Sequence, residues 1–403
     1  MRLSKSHSAD PGSRPKTLWN ISFISILVLG FITGSAGQMV NPILSKYVIS
    51  LGGTISLAGT IFGLNSGIAL LIHPFSGAAS DIINKKFVLI GSVLISAAAY
   101  IGYLLFNSIT AVIICRIMQG FSFAFMSVAR IAFATDFIPR GRLGEGVAFT
   151  SFGIVLSQAV GPIIGLWVVE KWGFSHCFAV AIILSLIGAG MLCLLPYKRV
   201  KKKLEIKKLR LNNLVAVEIL PYAFLAGMFA LLTHMANSFL ALLGEDRGIA
   251  NVGLFFTVYA ITALVVRPFS GRVLDKFGLP VLLYPAFFIA SLTMLLLGFA
   301  QSLSVIMLAG FFKAFSQGIA MPSITGSSIK RLGRERAGVV SATIHFGQDL
   351  VCMIGPPVGG AIAAASGYTT MYYSFAAFIL GVGLPLYMYL RHRDKKLKNA
   401  LSS

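Results

Sequence analysis

A nine-residue passage of this chain recurs 194 positions further on. His73-Pro74-Phe75-Ser76-Gly77-Ala78-Ala79-Ser80-Asp81 returns as Arg267-Pro268-Phe269-Ser270-Gly271-Arg272-Val273-Leu274-Asp275. A second landmark keeps the same offset: Gly153, Gly161-Pro162 and Gly165 match Gly347, Gly355-Pro356 and Gly359. Two separate landmarks sharing one offset in 403 residues mean two homologous halves. Whatever one half folds into, the other must fold into as well.

Each half is mostly hydrocarbon. Hydrophobic residues make up 56% of the chain, charged residues 12%, and the mean hydropathy is +0.84, which removes it from the class of soluble domains. A hydrocarbon layer of about 30 Å takes roughly 20 apolar residues per helix. Twelve such segments can be read, near 18–40, 54–76, 87–106, 109–137, 146–169, 177–197, 214–243, 252–271, 281–300, 303–329, 338–366 and 371–390. The expected fold is an all-α membrane protein of twelve transmembrane helices in two homologous six-helix bundles. The first spans 1–197, the second 214–403, and a basic linker at 198–213 joins them. A duplicated membrane domain points to a transporter, because two similar bundles can rock about a site between them.

The net charge of +21 invites a nucleic-acid reading. With an inside N-terminus and twelve crossings, however, cytoplasmic segments hold 27 of the 34 Lys and Arg, and external turns hold Lys46, Lys171 and Arg247. That asymmetry follows the positive-inside rule and places both termini in the cytoplasm of a multi-pass cell-membrane protein. The charge is topological, and the linker is expected to lie against anionic lipid headgroups. Met1–Thr17 is polar and basic, and no convincing cleavage site follows it. Cys115, Cys177, Cys193 and Cys352 fall in or beside apolar segments and are expected to be packing residues, not disulfides or metal ligands. No phosphate-binding loop, metal-ligand cluster or nucleophile motif is present, which argues against an ATP-driven pump or a membrane enzyme and calls for no cofactor.

The first motif, Gly77-x-x-x-Asp81-x-x-Asn84-Lys85-Lys86, lies in the turn between segments 2 and 3, and its copy carries Gly271 and Asp275. Glycine lets two helices approach closely, and a carboxylate among helix N-termini and basic side chains can act as a charge latch. The pattern resembles the signature loop of the major facilitator superfamily, including its repetition in the second half. Asn84 stands where that family usually has glycine, and the second copy lacks the basic pair. The resemblance implies that Asp81 latches a cytoplasmic gate and that Lys85 pairs with Asp136.

Segment 4 carries Arg116-x-x-Gln119-Gly120, similar to the superfamily's helix-4 arginine signature, which is linked to proton coupling. A guanidinium at membrane depth faces a cavity or partner, and it keeps its proton. It can modulate a carboxylate or bind an anionic group; a structural tie to helix 1 is the alternative. Arg130 lies on the same helical stripe, nearer the cytoplasm. Segment 5, with Gly153, Ser157, Gly161, Pro162 and Gly165, resembles the antiporter motif of the superfamily's exporters, although Ser157 and Leu166 replace usual glycines. Gly355, Pro356 and Gly359 repeat it in segment 11. Small residues four apart make a groove for a neighbouring backbone.

Asp349 is the acid placed nearest the bilayer centre; Glu218 falls near the cytoplasmic start of segment 7. His345, Gln348 and Cys352 flank Asp349 at helical spacing, so this face is a candidate proton site. A permanent pairing of Asp349 with Lys313 is the alternative. Gln38 and Asn41 in segment 1, and His234 and Asn237 in segment 7, are expected to line one cavity. The reading is a proton-coupled exporter of small organic or amphipathic compounds, resembling the drug:proton antiporters and expected to act as a monomer. A proton-coupled importer and a transport-dead sensor or scaffold stay open; flux under a pH gradient separates the three.

Overall fold

In the computed structural model, residues 19–82, 84–139, 143–195, 215–333 and 336–402 are described; within them the side chains of 74, 77–82, 131, 143–148, 151, 267–272, 275, 337–338 and 397–402 are not. The side chains at the gate positions Gly77, Asp81, Gly271 and Asp275 are therefore not described, and the linker 198–213 lies outside the described residues.

The helices follow the apolar segments: α1 Ile21–Ser50, α2 Ile55–Ile82, α3 Lys85–Leu105, α4 Ile109–Ala134, α5 Leu143–Trp172, α6 Phe174–Leu194, α7 Leu220–Asp246, α8 Leu254–Phe277, α9 Leu279–Phe299 and α10 Leu303–Leu332. A longer run, Ala337–Phe378, is broken at Gly367, whose φ of 81° lies in the left-handed region that a side chain disfavours. We call 337–366 α11; α12 starts at 368 and continues through a five-residue π segment, Ile379–Gly383, into Leu384–Ser402. Ten of the apolar runs are long enough to cross a membrane by themselves, and the run 339–396 holds both α11 and α12. With α8, twelve crossings result.

The boundaries differ most at the ends of α12, expected near residue 390 and observed at Ser402, and of α1, expected near residue 40 and observed to run to Ser50 straight through Pro42. Proline inside a membrane helix is tolerated because neighbouring helices re-satisfy the freed backbone groups. Helix starts are marked locally. The Asn20 side chain accepts from the Phe23 amide, and Asn84 caps α3 by accepting from Lys86 N.

Alternation of the helices puts both described ends of the chain on one face, here called the terminal face. There the Asn20 amide donates to Phe137 O, Lys86 Nζ donates to Cys193 O and Leu195 O, and Tyr222 Oη donates to Asp394. On the opposite face, Tyr47 Oη donates to Tyr103 O, while Arg247 donates to Leu297 O, Gly298 O and Ala300 O. Cys115, Cys177 and Cys352 are buried, whereas Cys193 is exposed at the end of α6, against its expected packing role.

The duplicated glycines sit inside each half and face the same partner in both. On α5, Gly153 lies against Leu27 and Phe31, Gly161 against Gln38 and Gly165 against Met39, all on α1. On α11, Gly347 lies against Ala223, Gly355 against Leu231 and Gly359 against Met235 and Phe239 of α7. Helix 5 rests on helix 1 as helix 11 rests on helix 7.

Contacts between the halves gather toward the opposite face. Gly59 and Gly63 of α2 lie against Pro356, Met353 and Pro357 of α11, and Gly360 returns the contact to Ile55 and Ser56. Thr257 Oγ1 of α8 donates to Ala159 O of α5, 2.9 Å away. Lys46 of α1 and Glu245 of α7 form an ion pair at 2.6 Å.

Candidate functional site

Two polar centres lie between and within the bundles. The first is at the interface of the halves. His73 of α2 and Asp349 of α11 are 8% and 7% exposed, and His73 Nε2 stands 3.1 Å from Asp349 Oδ2. The ring of His345, one helical turn before Asp349, stacks on His73 at 5.9 Å with an interplanar angle of 22°. The Phe123 ring closes another side of His73 at 6.2 Å. An imidazole and a carboxylate thus meet at the interface, one from each bundle and both largely removed from water.

The second centre is a cavity of about 150 Å³ inside the first bundle, lined by residues of α1 to α6 that include Gln38, Asn41, Asn65, Arg116, Gln119 and Arg130. Arg116 is 2% exposed. Its Nη1 donates to Gln119 Oε1 at 2.9 Å and to Asn41 Oδ1 at 3.4 Å, and its guanidinium lies 4.7 Å above the Phe62 ring. Gln119 Oε1 also accepts from Tyr103 Oη at 3.0 Å.

Several expectations need correction. Asp349 and Arg116 lie apart: Asp349 faces His73, while Arg116 lines the cavity of the first bundle. Gln348 does not join Asp349: its amide approaches Met321 Sδ of α10 at 4.0 Å, since adjacent residues on a helix point about 100° apart. The alternative pairing of Asp349 with Lys313 is not seen. Lys313 is fully buried, with Nζ 3.5 Å over the Tyr259 ring and 5.4 Å from that of Phe255, a cation–π environment. Of the four polar residues on helices 1 and 7, Gln38 and Asn41 line the Arg116 cavity, but His234 and Asn237 do not. His234 packs edge-on to Phe62 at 6.1 Å, and Asn237 is buried in α7.

Near the terminal face, Lys85 Nζ donates to Asp136 Oδ2 at 2.8 Å and to Ala132 O at 2.9 Å, which ties the start of α3 to the end of α4. Glu218 lies 3.6 Å from Arg336. The residue that sequence reasoning missed is His73. Its signal was in the duplicated passage: the copy holds Arg267 at the same place, so both halves put a basic side chain four residues before the repeated glycine.

Comparison with known proteins agrees with this architecture. The profile described as Major Facilitator Superfamily matches residues 26–248 and again 222–403. An uncharacterized MFS-type transporter of Methanocaldococcus jannaschii is 24% identical over 383 residues, 92% of this chain and 96% of its own length. Multidrug resistance protein MdtG of Klebsiella pneumoniae is 24% identical over 370 residues, 87% of this chain and 89% of its own. Among solved structures, the nucleoside transporter NupG superposes with a TM-score of 0.71 at 14% identity, covering 92% of this chain and 99% of that one. The peptide transporter POT in complex with sulfate gives 0.75 at 13% identity, with 92% and 94% covered. The two matched halves, the twelve crossings and the relatives agree: the chain belongs to the Major Facilitator Superfamily and is a multi-pass membrane transporter, not an enzyme.

Proposed function

We propose that this transporter exports small organic solutes in exchange for protons, by alternating access between the two bundles. The observation that carries the coupling is the His73–Asp349 pair, which joins α2 of one half to α11 of the other. A proton bound there removes the carboxylate charge that holds the imidazole, so proton occupancy and the contact between the halves become one equilibrium. The opposite-face contacts, Lys46–Glu245 and the glycine seam of α2 and α11, then form the seal that must open for release. Export is favoured by the antiporter-like glycine pattern on α5 and by relatives named multidrug resistance proteins. The test is solute flux under an imposed pH gradient.

The terminal face is proposed to be cytoplasmic from the distribution of Lys and Arg. The check uses single cysteines at Asn212 in the linker and at Ser302, which is exposed in the α9–α10 turn on the opposite face. The exposed Cys193 is first replaced by serine to remove background. An impermeant thiol reagent added to intact cells is expected to label Ser302→Cys and spare Asn212→Cys. The reverse pattern would overturn this orientation.

A further inference from the structure

We infer that the transported solute carries an anionic group, a carboxylate or phosphonate, and that this group docks on Arg116 inside the first bundle. The inference names the substrate class of the proposed exporter and rests on that reading for transport, though not for binding.

The argument is one of charge. Among the described residues, the ionised side chains lining the 150 Å³ cavity are Arg116 and Arg130, and no Asp or Glu is among them. Buried guanidinium groups are costly and normally meet a carboxylate. Among the described residues, no carboxylate stands within ion-pair distance of either arginine. The acceptors that Arg116 does have are neutral amide oxygens, Asn41 Oδ1 and Gln119 Oε1, and both take Nη1. Its Nε is buried without a hydrogen-bond partner. The side of the guanidinium that bears Nε therefore keeps donors suited to the paired oxygens of a carboxylate or phosphonate.

Asp349, an acid buried on the facing bundle, is held by His73. Arg130 lies on the same stripe of α4, about 21 Å nearer the terminal face by helix rise. An anion entering from that face meets Arg130 first and Arg116 deeper in the cavity. Gln38, Asn65 and Tyr100 offer neutral hydrogen-bonding groups for the uncharged remainder of the solute. A cationic amphipath would meet like charge at both depths.

The probes are benzoate, benzamide and benzamidine, which share one planar frame and carry charges of −1, 0 and +1. Binding to the purified transporter in lipid nanodiscs, at constant ionic strength, is read by saturation-transfer NMR. Benzoate is expected to bind at least about tenfold more tightly than benzamide, as a hydrogen-bonded charge pair would give, with benzamidine weakest. Arg116→Gln is expected to remove that preference, and Arg116→Lys to restore part of it. Because Arg116 is fully enclosed, Arg130→Gln serves as a second variant at a less buried position, and it is expected to slow benzoate association. Benzamidine binding as tightly as benzoate, no benzoate binding at all, or a benzoate preference unchanged in Arg116→Gln would each overturn the anion site. A protein that prefers benzoate yet moves no solute under a pH gradient would refute the transport reading and leave the site standing.

Discussion

Asp349→Asn is expected to abolish solute accumulation driven by a pH gradient while sparing solute exchange at equal pH on both sides. The substitution keeps the shape of the side chain and removes its charge. In the native protein that charge sits 3.1 Å from His73 Nε2 at a site 7% exposed, so the pair is shielded from solvent. Removing one member of a buried pair costs about 3–5 kcal/mol, which corresponds to a factor of roughly 10² to 4 × 10³ in an equilibrium constant. An uncoupled transporter still alternates, and exchange requires alternation without net protonation. Several groups bear on this site: His73 on α2, His345 and Cys352 on α11, and Arg130 of α4, whose charge reaches His345. Histidine is the side chain that ordinarily titrates near neutral pH. If Asp349→Asn still concentrates solute against its gradient, the proton is carried elsewhere, with His345 or His234 next in line.

Gly165→Ala is expected to lower the thermal unfolding midpoint by about 2 °C or more, whereas Gly190→Ala leaves it unchanged or raises it. A Cβ at Gly165 would stand 2.8 Å from Met39 Cα and 2.9 Å from Met39 C, backbone atoms of α1 that cannot rotate away. A Cβ at Gly190 meets nothing within 4 Å. Both changes bring the same gain in helix propensity, up to about 1 kcal/mol. At Gly165 overpacking opposes it with about 1–3 kcal/mol or more, because small residues set how closely membrane helices approach. Scanning fluorimetry of the purified variants reads the difference directly. Equal midpoints for the two would mean that α5 does not rest on α1 as described.

Much of the fold was legible because its two signals are strong and independent. Apolar runs of membrane length locate the helices, and the repeat at a fixed offset pairs Gly153, Gly161 and Gly165 with Gly347, Gly355 and Gly359. Their packing partners, α1 and α7, were not readable, since nothing along α5 or α11 names the helix it touches. The site was less legible for the same reason. Arg116 and Asp349 stood out as charges in hydrocarbon, but charge alone does not say what each one faces. The structure gives Asp349 to His73 and keeps Arg116 in a separate cavity. Gln348 was grouped with Asp349 by spacing, yet a single residue step turned it toward Met321. Lys313 seemed a natural partner for an acid and instead lies over Tyr259, because an aromatic face can also accept a buried cation.

The central claim is that protons and solute move in opposite directions through this chain. The direct measurement uses proteoliposomes holding the purified protein, an imposed pH gradient, a trapped pH-sensitive dye, and a panel of labelled anionic, neutral and cationic aromatic solutes. The account predicts that at least one anionic solute accumulates on the side from which protons depart, and that adding it speeds decay of the gradient. Accumulation on the side the protons enter, or decay of the gradient at the rate of protein-free liposomes with every solute, would contradict it.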